Sequence, residues 1–160
     1  MSADMLPVVH HLLVGSSANQ TWRSRGASLD PRRFAELLRD AHHSAVGLSA
    51  EGQPIALYEL LSVDLQDGHA ELSLAAFGSA SPVDVFLGAA LFIEQCFDLV
   101  PIRQLYAFVA EGGYLRPEAL DRFGMRHHGA LPTHVFLGGR YRDLQIYCLR
   151  REDLAGLRDR

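Results

Sequence analysis

The spacing of hydrophobic residues changes several times along the chain, and each change marks a predicted element. Pro7–Val14 is a continuous apolar run that predicts a first strand, and Gly15–Ala27 is predicted to be a loop or a short irregular helix. Asp30 followed by Pro31 has the pattern of a helix N-cap with proline at the first helical position. Apolar residues then recur at helical spacing, which predicts a helix over Pro31–Ala41.

Three strand-like runs separated by turn residues follow this helix. They cover Ser44–Ser49, Pro54–Leu65 and His69–Phe77. Asp67-Gly68 lies between the second and third runs, and this dipeptide is a strong β-hairpin signal. The three runs are therefore predicted to form an antiparallel meander.

A long apolar segment begins after the meander. Ser81 and Asp84 have the spacing of a capping box, and the helix that they open is predicted to cover Pro82–Asp98. This segment is apolar on almost every side, so the helix is expected to be buried against a sheet. Ile102–Ala110 is the next strand, and a helical crossover would place it parallel to the strand before the helix.

The C-terminal part predicts a short helix and a hairpin. The helix covers Arg116–Phe123, and the strands Ala130–Leu137 and Arg142–Leu149 are joined across Gly138-Gly139. Together the elements predict one α/β domain over residues 1–160, with an irregular segment over residues 1–28.

The absence of lysine narrows the possible chemistry. All fifteen positively charged residues are arginine, so a Walker P-loop, a lysine Schiff base and a lysine general base are excluded. The net charge of −4 and the scattered arginines argue against a nucleic-acid partner. The longest strongly apolar stretch, Val85–Ile93, is far shorter than the roughly 20 residues of a membrane span, so no membrane association is expected.

Cysteine and histidine positions give two further expectations. Cys96 and Cys148 form no CxxC pair, which favours a reducing, cytoplasmic location. Three pairs of adjacent histidines occur, but adjacent side chains point in different directions and no HxxxH spacing is present. No metal site is therefore expected.

Several segments occur in an informative order: GQPIALYEL, DGHAELSLAAF, PIRQLYAFV, RFGM, HHGALP and GGRYRDLQIYCL. Taken together, they resemble the GCN5-related N-acetyltransferases, in particular the branch of ribosomal-protein and spermidine acetyltransferases. The resemblance covers about residues 30–153. It implies a mixed, mostly antiparallel sheet of six to seven strands with a central buried helix. It also implies that the strands His69–Phe77 and Ile102–Ala110 splay apart and hold the pantetheine arm of acetyl-CoA between them.

The resemblance implies acetyl-CoA, or another acyl-CoA, as cosubstrate. The expected cofactor residues are Leu74, Ala75 and Ala76, whose backbone would face the acetyl-pantetheine arm, and Gly78, Ser79, Ala80, Ser81 and Val83 in the pyrophosphate loop. This loop departs from the family pattern, since it lacks an arginine and closely spaced glycines, Pro82 removes an amide donor, and Asp84 adds negative charge. Positive charge near the CoA phosphates would then come from Arg103, Arg140 or Arg142.

Two residues are catalytic candidates by resemblance. Glu71 stands where histone-acetyltransferase relatives place a glutamate base, although strand alternation alone favours an exposed carboxylate on an outer face. The tyrosine that usually protonates the thiolate aligns with Leu120, so Tyr114 is the substitute candidate for the acid. Its alternative is a packing role in a glycine-rich loop.

An aromatic-basic cluster lies in the segment that borders the acceptor pocket in this fold. The candidate acceptor residues are Trp22, Arg23 and Arg25, together with Glu111 after the strand Ile102–Ala110. Arginine suits an acidic or carboxylate-bearing acceptor. The alternative is a core tryptophan with solvated arginines beside it. Because the N-terminal region is short for the family, the acceptor site is expected to be open or to be completed by a second subunit of a homodimer.

These features predict an N-acyltransferase, most simply an acetyltransferase, that moves an acetyl group from acetyl-CoA directly to an amine of a small molecule or peptide. The alternative is a repurposed protein of the same fold, which binds a ligand or partner or handles another acyl thioester without acetyl-CoA-dependent acetylation.

Overall fold

A computed structural model describes residues 5–78, 80–110 and 115–154. The first elements are α1 (Met5–Val14), α2 (Ala18–Thr21), α3 (Pro31–Asp40), β1 (His43–Leu48), β2 (Pro54–Asp64) and β3 (His69–Ala76). They are followed by α4 (Pro82–Leu99), β4 (Gln104–Ala110), α5 (Pro117–Arg122), β5 (Arg126–Leu137), β6 (Arg140–Arg150) and a 3-10 turn over Arg151–Asp153.

The strands of the described residues form one six-stranded sheet in the order β1-β2-β3-β4-β6-β5. β3 and β4 are parallel, and the other neighbouring strands are antiparallel. The predicted mixed, mostly antiparallel sheet and the parallel crossover through the long helix are therefore confirmed.

The N-terminal segment is helical, so the predicted strand over Pro7–Val14 is wrong. Val9 and Leu13 are fully buried and lie four residues apart, which is the spacing of one helix face. A continuous apolar run does not by itself distinguish a buried strand from a helix. α1 therefore replaces the first part of the irregular segment predicted over residues 1–28, whereas the four-residue α2 agrees with the short helix predicted within Gly15–Ala27.

The sheet separates two hydrophobic cores. α4 covers one face, where Phe92 and Phe97 pack with Leu60. α1, α2 and α3 cover part of the opposite face, called here the N-terminal face, where Trp22 and Phe34 pack with Leu57. A ligand that lies between two separated strands would therefore have α4 on one face of the sheet and the N-terminal helices on the opposite face.

One expectation about α4 is wrong and the other is confirmed. Ser81 makes no side-chain hydrogen bond that caps the helix within the described residues, so the capping box is not formed. The helix is buried against the sheet as predicted, through Val85, Ala89 and Phe92 among others, although Val83, Leu87, Leu91 and Leu99 are 55–68% exposed. No helix of the described residues is long and apolar enough to cross a membrane.

Candidate active site

β3 and β4 are paired at one end only, which opens a cleft between them. In the described strands the pairing joins His69 to Gln104, Ala70 to Leu105 and Glu71 to Tyr106, and then stops. Beyond Glu71, the segments 72–74 and 107–110 line a cleft of about 120 Å³. This is the splayed strand pair that the family resemblance implies.

The β3 edge on this cleft presents backbone groups without a strand partner. Phe77 N donates to Ile55 O of β2 at 2.8 Å. Because N–H directions alternate along a strand, the amides of Leu72, Leu74 and Ala76 point away from β2 and towards β4. Of the predicted backbone contacts, Leu74 and Ala76 therefore face the cleft, whereas the amide of Ala75 points towards β2.

The loop between β3 and α4 is open at its first turn. Gly78 has φ 52°, and no described atom would lie within 4 Å of a Cβ at this position. Ala80 N donates to Phe77 O at 3.1 Å, so its amide is already used. Val85 N donates to Ser81 O at 3.1 Å, which leaves the amides of Val83 and Asp84 without a partner inside the helix.

The remaining loop features weigh against strong anion binding. Pro82 supplies no amide, and the Asp84 carboxylate stands in the first turn of α4. Ser79 lies outside the described residues. The loop therefore offers two helix amides beside a negative charge.

Glu71 lies at the closed end of the cleft, on the N-terminal face. Its side chain is half-buried, and burial raises the pKa of its carboxyl, opposed by a hydrogen bond from Ser62 and by the charges of Arg23 and Arg25. Ser62 Oγ lies 3.5 Å from Glu71 Oε2. Ser62 has φ 48° and lies where the β2–β3 register shifts, so a β-bulge directs its hydroxyl to the carboxylate. A raised pKa suits a general base, and this role of Glu71 stays a prediction.

A second glutamate that the sequence analysis did not identify lies beside Glu71 on the N-terminal face. Glu59 is completely buried. It accepts hydrogen bonds from Trp22 Nε1 at 2.6 Å, Arg23 Nη1 at 3.0 Å and Ser73 Oγ at 3.3 Å. Burial raises the pKa of Glu59, and these partners oppose the rise. The sequence signal was a single carboxylate inside an apolar strand, since such a group must find partners when it is buried.

The three described candidate acceptor residues have different environments. Trp22 is 2% exposed and packs in the core. Arg23 Nη1 donates to Leu37 O at 2.6 Å as well as to Glu59, so its guanidinium is fixed between α3 and β2. Arg25 is exposed and forms no ion pair with any described residue. All three line the cleft, whereas Glu111 and Tyr114 lie outside the described residues.

The arginines expected near the CoA phosphates lie at two ends of the sheet. Arg103 is at the paired end of β3 and β4, where its Nη2 donates to Asp67 O at 2.8 Å. This position excludes Arg103 as a partner of the loop beyond Ala76. Arg140 and Arg142 lie on the β5–β6 hairpin, beyond the pairing of Leu144 with Ala110, and therefore at the open end of the cleft.

Among the described residues, one group of side chains with metal-ligating atoms lies close together, at the β2–β3 turn. Ligand atoms of Asp64, Asp67 and His69 are within 4.8 Å of one another. Asp64 Oδ1 accepts from the amides of Gln66 and Asp67, both at 2.9 Å, which is the usual hydrogen bonding of an aspartate in a turn. The group is therefore explained by turn formation.

The splayed sheet is that of the GCN5-related N-acetyltransferase fold, as solved structures of similar shape show. A spermidine N-acetyltransferase from Vibrio cholerae in complex with CoA and spermine has a TM-score of 0.81 and 16% identity, over 97% of this chain and 95% of that chain. A spermidine N-acetyltransferase chimera from Vibrio cholerae and hSSAT has a TM-score of 0.80 and 17% identity, over 98% and 96% of the two chains.

A GCN5-related N-acetyltransferase from Brucella melitensis has a TM-score of 0.71 and 19% identity, over 91% of this chain and 71% of that chain. No protein-family model and no curated protein matches the sequence. At these identities the likeness establishes the fold, and the resemblance predicted from the sequence is confirmed at that level.

Proposed function

We propose that this protein is an acyl-CoA-dependent N-acyltransferase, most simply an acetyltransferase, that passes the acyl group directly to an amine of a small molecule or peptide. The observation that carries this proposal is the cleft between β3 and β4, with the half-buried Glu71 at its closed end. The shared fold with N-acetyltransferases of known structure supports the same proposal.

The cleft fits the pantetheine arm of an acyl-CoA. The arm is extended and carries amide groups, so it can pair with a strand edge as an added strand would. The cleft-facing backbone of Leu72, Leu74 and Ala76 offers this edge. The pyrophosphate end fits less well, because the amides of Val83 and Asp84 stand beside the Asp84 carboxylate. We therefore expect the arm to contribute more to affinity than the phosphates.

In this proposal, Leu74 and Glu71 have separate roles in the transfer of the acyl group. Bound acetyl-CoA supplies an activated thioester carbonyl. The amide of Leu74 points into the cleft, and in this proposal it donates a hydrogen bond to the carbonyl oxygen as negative charge develops on it. Glu71 accepts one proton of the acceptor ammonium, directly or through a water molecule, so that the amine can attack the thioester carbonyl. As the C–N bond forms the C–S bond breaks, and the leaving CoA thiolate takes up the second proton that the attacking nitrogen loses.

Calorimetry with acetyl-CoA and CoA tests the proposal. Micromolar binding supports it, and no heat of binding at millimolar ligand contradicts it. Glu71→Gln is expected to lower turnover without lowering the affinity for CoA. Glu36→Gln, on the outer side of α3, is the matched control and leaves both unchanged. Unchanged turnover in Glu71→Gln would exclude Glu71 as the base.

A second function is favoured by Pro82 and Asp84 at the start of α4. A protein of this fold that binds another ligand, or an acyl thioester carried by a protein, would not need a strong pyrophosphate site. The same titration separates the two proposals, since this second function predicts no binding of free acetyl-CoA.

A further inference from the structure

We infer that the amine acceptor carries a carboxylate next to its amine, as an apolar amino acid does, and that Arg25 binds this carboxylate. The inference rests on the proposed function and names the acceptor class for it. It contrasts with the polyamine that is bound in the Vibrio cholerae structure.

Opposite charges line the same cleft without neutralising each other. Glu71 and Arg25 both line it, and no ion pair joins them or links Arg25 to another described residue. They are nevertheless close enough for the positive charge of Arg25 to lower the pKa of Glu71 against the effect of burial. A molecule with an ammonium and a carboxylate group can therefore contact both residues.

The other charges of the described cleft residues cancel. Arg23 is the only further charged residue among them, and its Nη1 lies 3.0 Å from the buried carboxylate of Glu59. Among the described cleft residues, one positive and one negative group remain, Arg25 and Glu71. A polyamine with several ammonium groups would meet a single carboxylate among these residues and be repelled by Arg25, whereas a zwitterion matches both charges.

The backbone at Arg25 gives no folding reason for an arginine. Arg25 has φ 49° and Gly26 has φ 78°, so both occupy the left-handed region, which favours glycine or asparagine over arginine. The turn is held by Arg25 N donating to Trp22 O at 2.7 Å and Gly26 N donating to Asn19 O at 2.8 Å. Because Trp22 is itself anchored on Glu59, the core fixes the backbone that presents the exposed Arg25 side chain.

The other walls of the cleft are mainly apolar. Phe108, Leu115, Val135 and Leu144 line it beyond the charged end. These walls favour an acceptor with an apolar side chain. The planar guanidinium of Arg25 suits a carboxylate, because it can donate two parallel hydrogen bonds to the two oxygens.

The test compares matched acceptors, with acetyl-CoA as donor and the released thiol as the readout. Leucine and phenylalanine are paired with 3-methylbutylamine and phenethylamine, which lack only the carboxylate, and spermidine is the polyamine. The full-length protein is expected to show at least about tenfold higher kcat/KM for the amino acids, the effect of one charge-assisted hydrogen bond. Arg25→Gln is expected to bring this ratio close to one, and Arg33→Gln on the exposed side of α3 keeps it.

A kcat/KM for the decarboxylated amines or for spermidine that equals or exceeds that for the amino acids overturns the inference. A preference for the amino acids that remains in the Arg25→Gln variant also overturns it. Acetyl-CoA binding without acetylation of any amino acid also overturns it, while leaving the cofactor part of the proposed function intact. The proposed function fails separately, when neither acetyl-CoA binding nor acetylation of any amine is found.

Discussion

Replacing Gly88 by alanine tests how closely α4 packs on the sheet. Helix propensity alone predicts that this change in the interior of α4 stabilises the protein by about 1 kcal/mol. The packing predicts the opposite sign, because a Cβ at Gly88 would overlap the Tyr58 hydroxyl and lie 3.0 Å from Tyr58 Cζ. The Tyr58 ring also packs closely on Gly47, where an added Cβ would lie 2.9 Å from Tyr58 Cε2, and the Tyr58 hydroxyl donates to Val85 O at 2.9 Å. The ring therefore cannot move aside easily to make room for a Cβ at Gly88.

Overpacking of a core site costs about 1–3 kcal/mol, and occasionally more, so the steric effect is expected to exceed the gain in propensity. After the propensity gain of about 1 kcal/mol is subtracted, we expect Gly88→Ala to lower the free energy of unfolding by up to about 2 kcal/mol, measured by urea unfolding. Tyr58→Phe removes the overlapping oxygen, so the cost of Gly88→Ala is expected to be smaller in that background, with a coupling of about 1 kcal/mol. A Gly88→Ala protein that is more stable than the wild type would contradict the packing of α4 described here.

Three further predictions concern titrating groups and the end of α4. Glu71 must be ionised to act as a base, and burial raises the pKa of its carboxyl above the usual 4.5. The value of kcat/KM is therefore expected to rise as the pH passes through a value above 4.5. A kcat/KM that does not change with pH in that range contradicts the assignment of Glu71 as the base. Burial also raises the pKa of Glu59 above 4.5, so its contribution to stability is complete below that pH and is lost as pH rises through the folded-state pKa. Glu59→Gln should remove this pH dependence in urea unfolding, and an unchanged profile would exclude Glu59 as its source. Arg151 donates to Phe97 O and Val100 O at the end of α4 and to Ile102 O before β4. Arg151→Gln is therefore expected to cost about 2–4 kcal/mol, against less than about 1 kcal/mol for the surface control Arg150→Gln, and equal costs would exclude the capping role.

The order of strands and helices from residue 30 onwards could be predicted because local signals and long-range packing agree there. Asp30 caps α3 as the sequence indicates, with its carboxylate accepting from Arg33 N at 2.9 Å. The hairpin at Asp67-Gly68 and the parallel crossover through α4 are also present. α1 could not be predicted in the same way, because the burial of Val9 and Leu13 depends on α2 and α3, which pack against it.

The candidate site was only partly predictable for a related reason. The position of Glu71 and the strand that faces the cleft could be predicted from the family resemblance, because both depend only on the order of elements along the chain. The partnership of Glu59 with Trp22 and Arg23 joins residues that are 36 or 37 positions apart, and no local pattern encodes it. The contact with Glu59 accounts for the difference between Arg23, whose guanidinium is fixed, and Arg25, whose side chain is exposed.

An NMR titration of backbone amides with acetyl-CoA tests the central claim most directly, because it reports both binding and its location. We predict saturable shift changes at the cleft-facing amides of Leu74 and Ala76 and at the helix amides of Val83 and Asp84, with smaller changes at Ala75, whose amide points towards β2. No change at millimolar acetyl-CoA, or changes confined to residues away from the β3–β4 cleft, would contradict the proposal that this cleft holds the acyl donor.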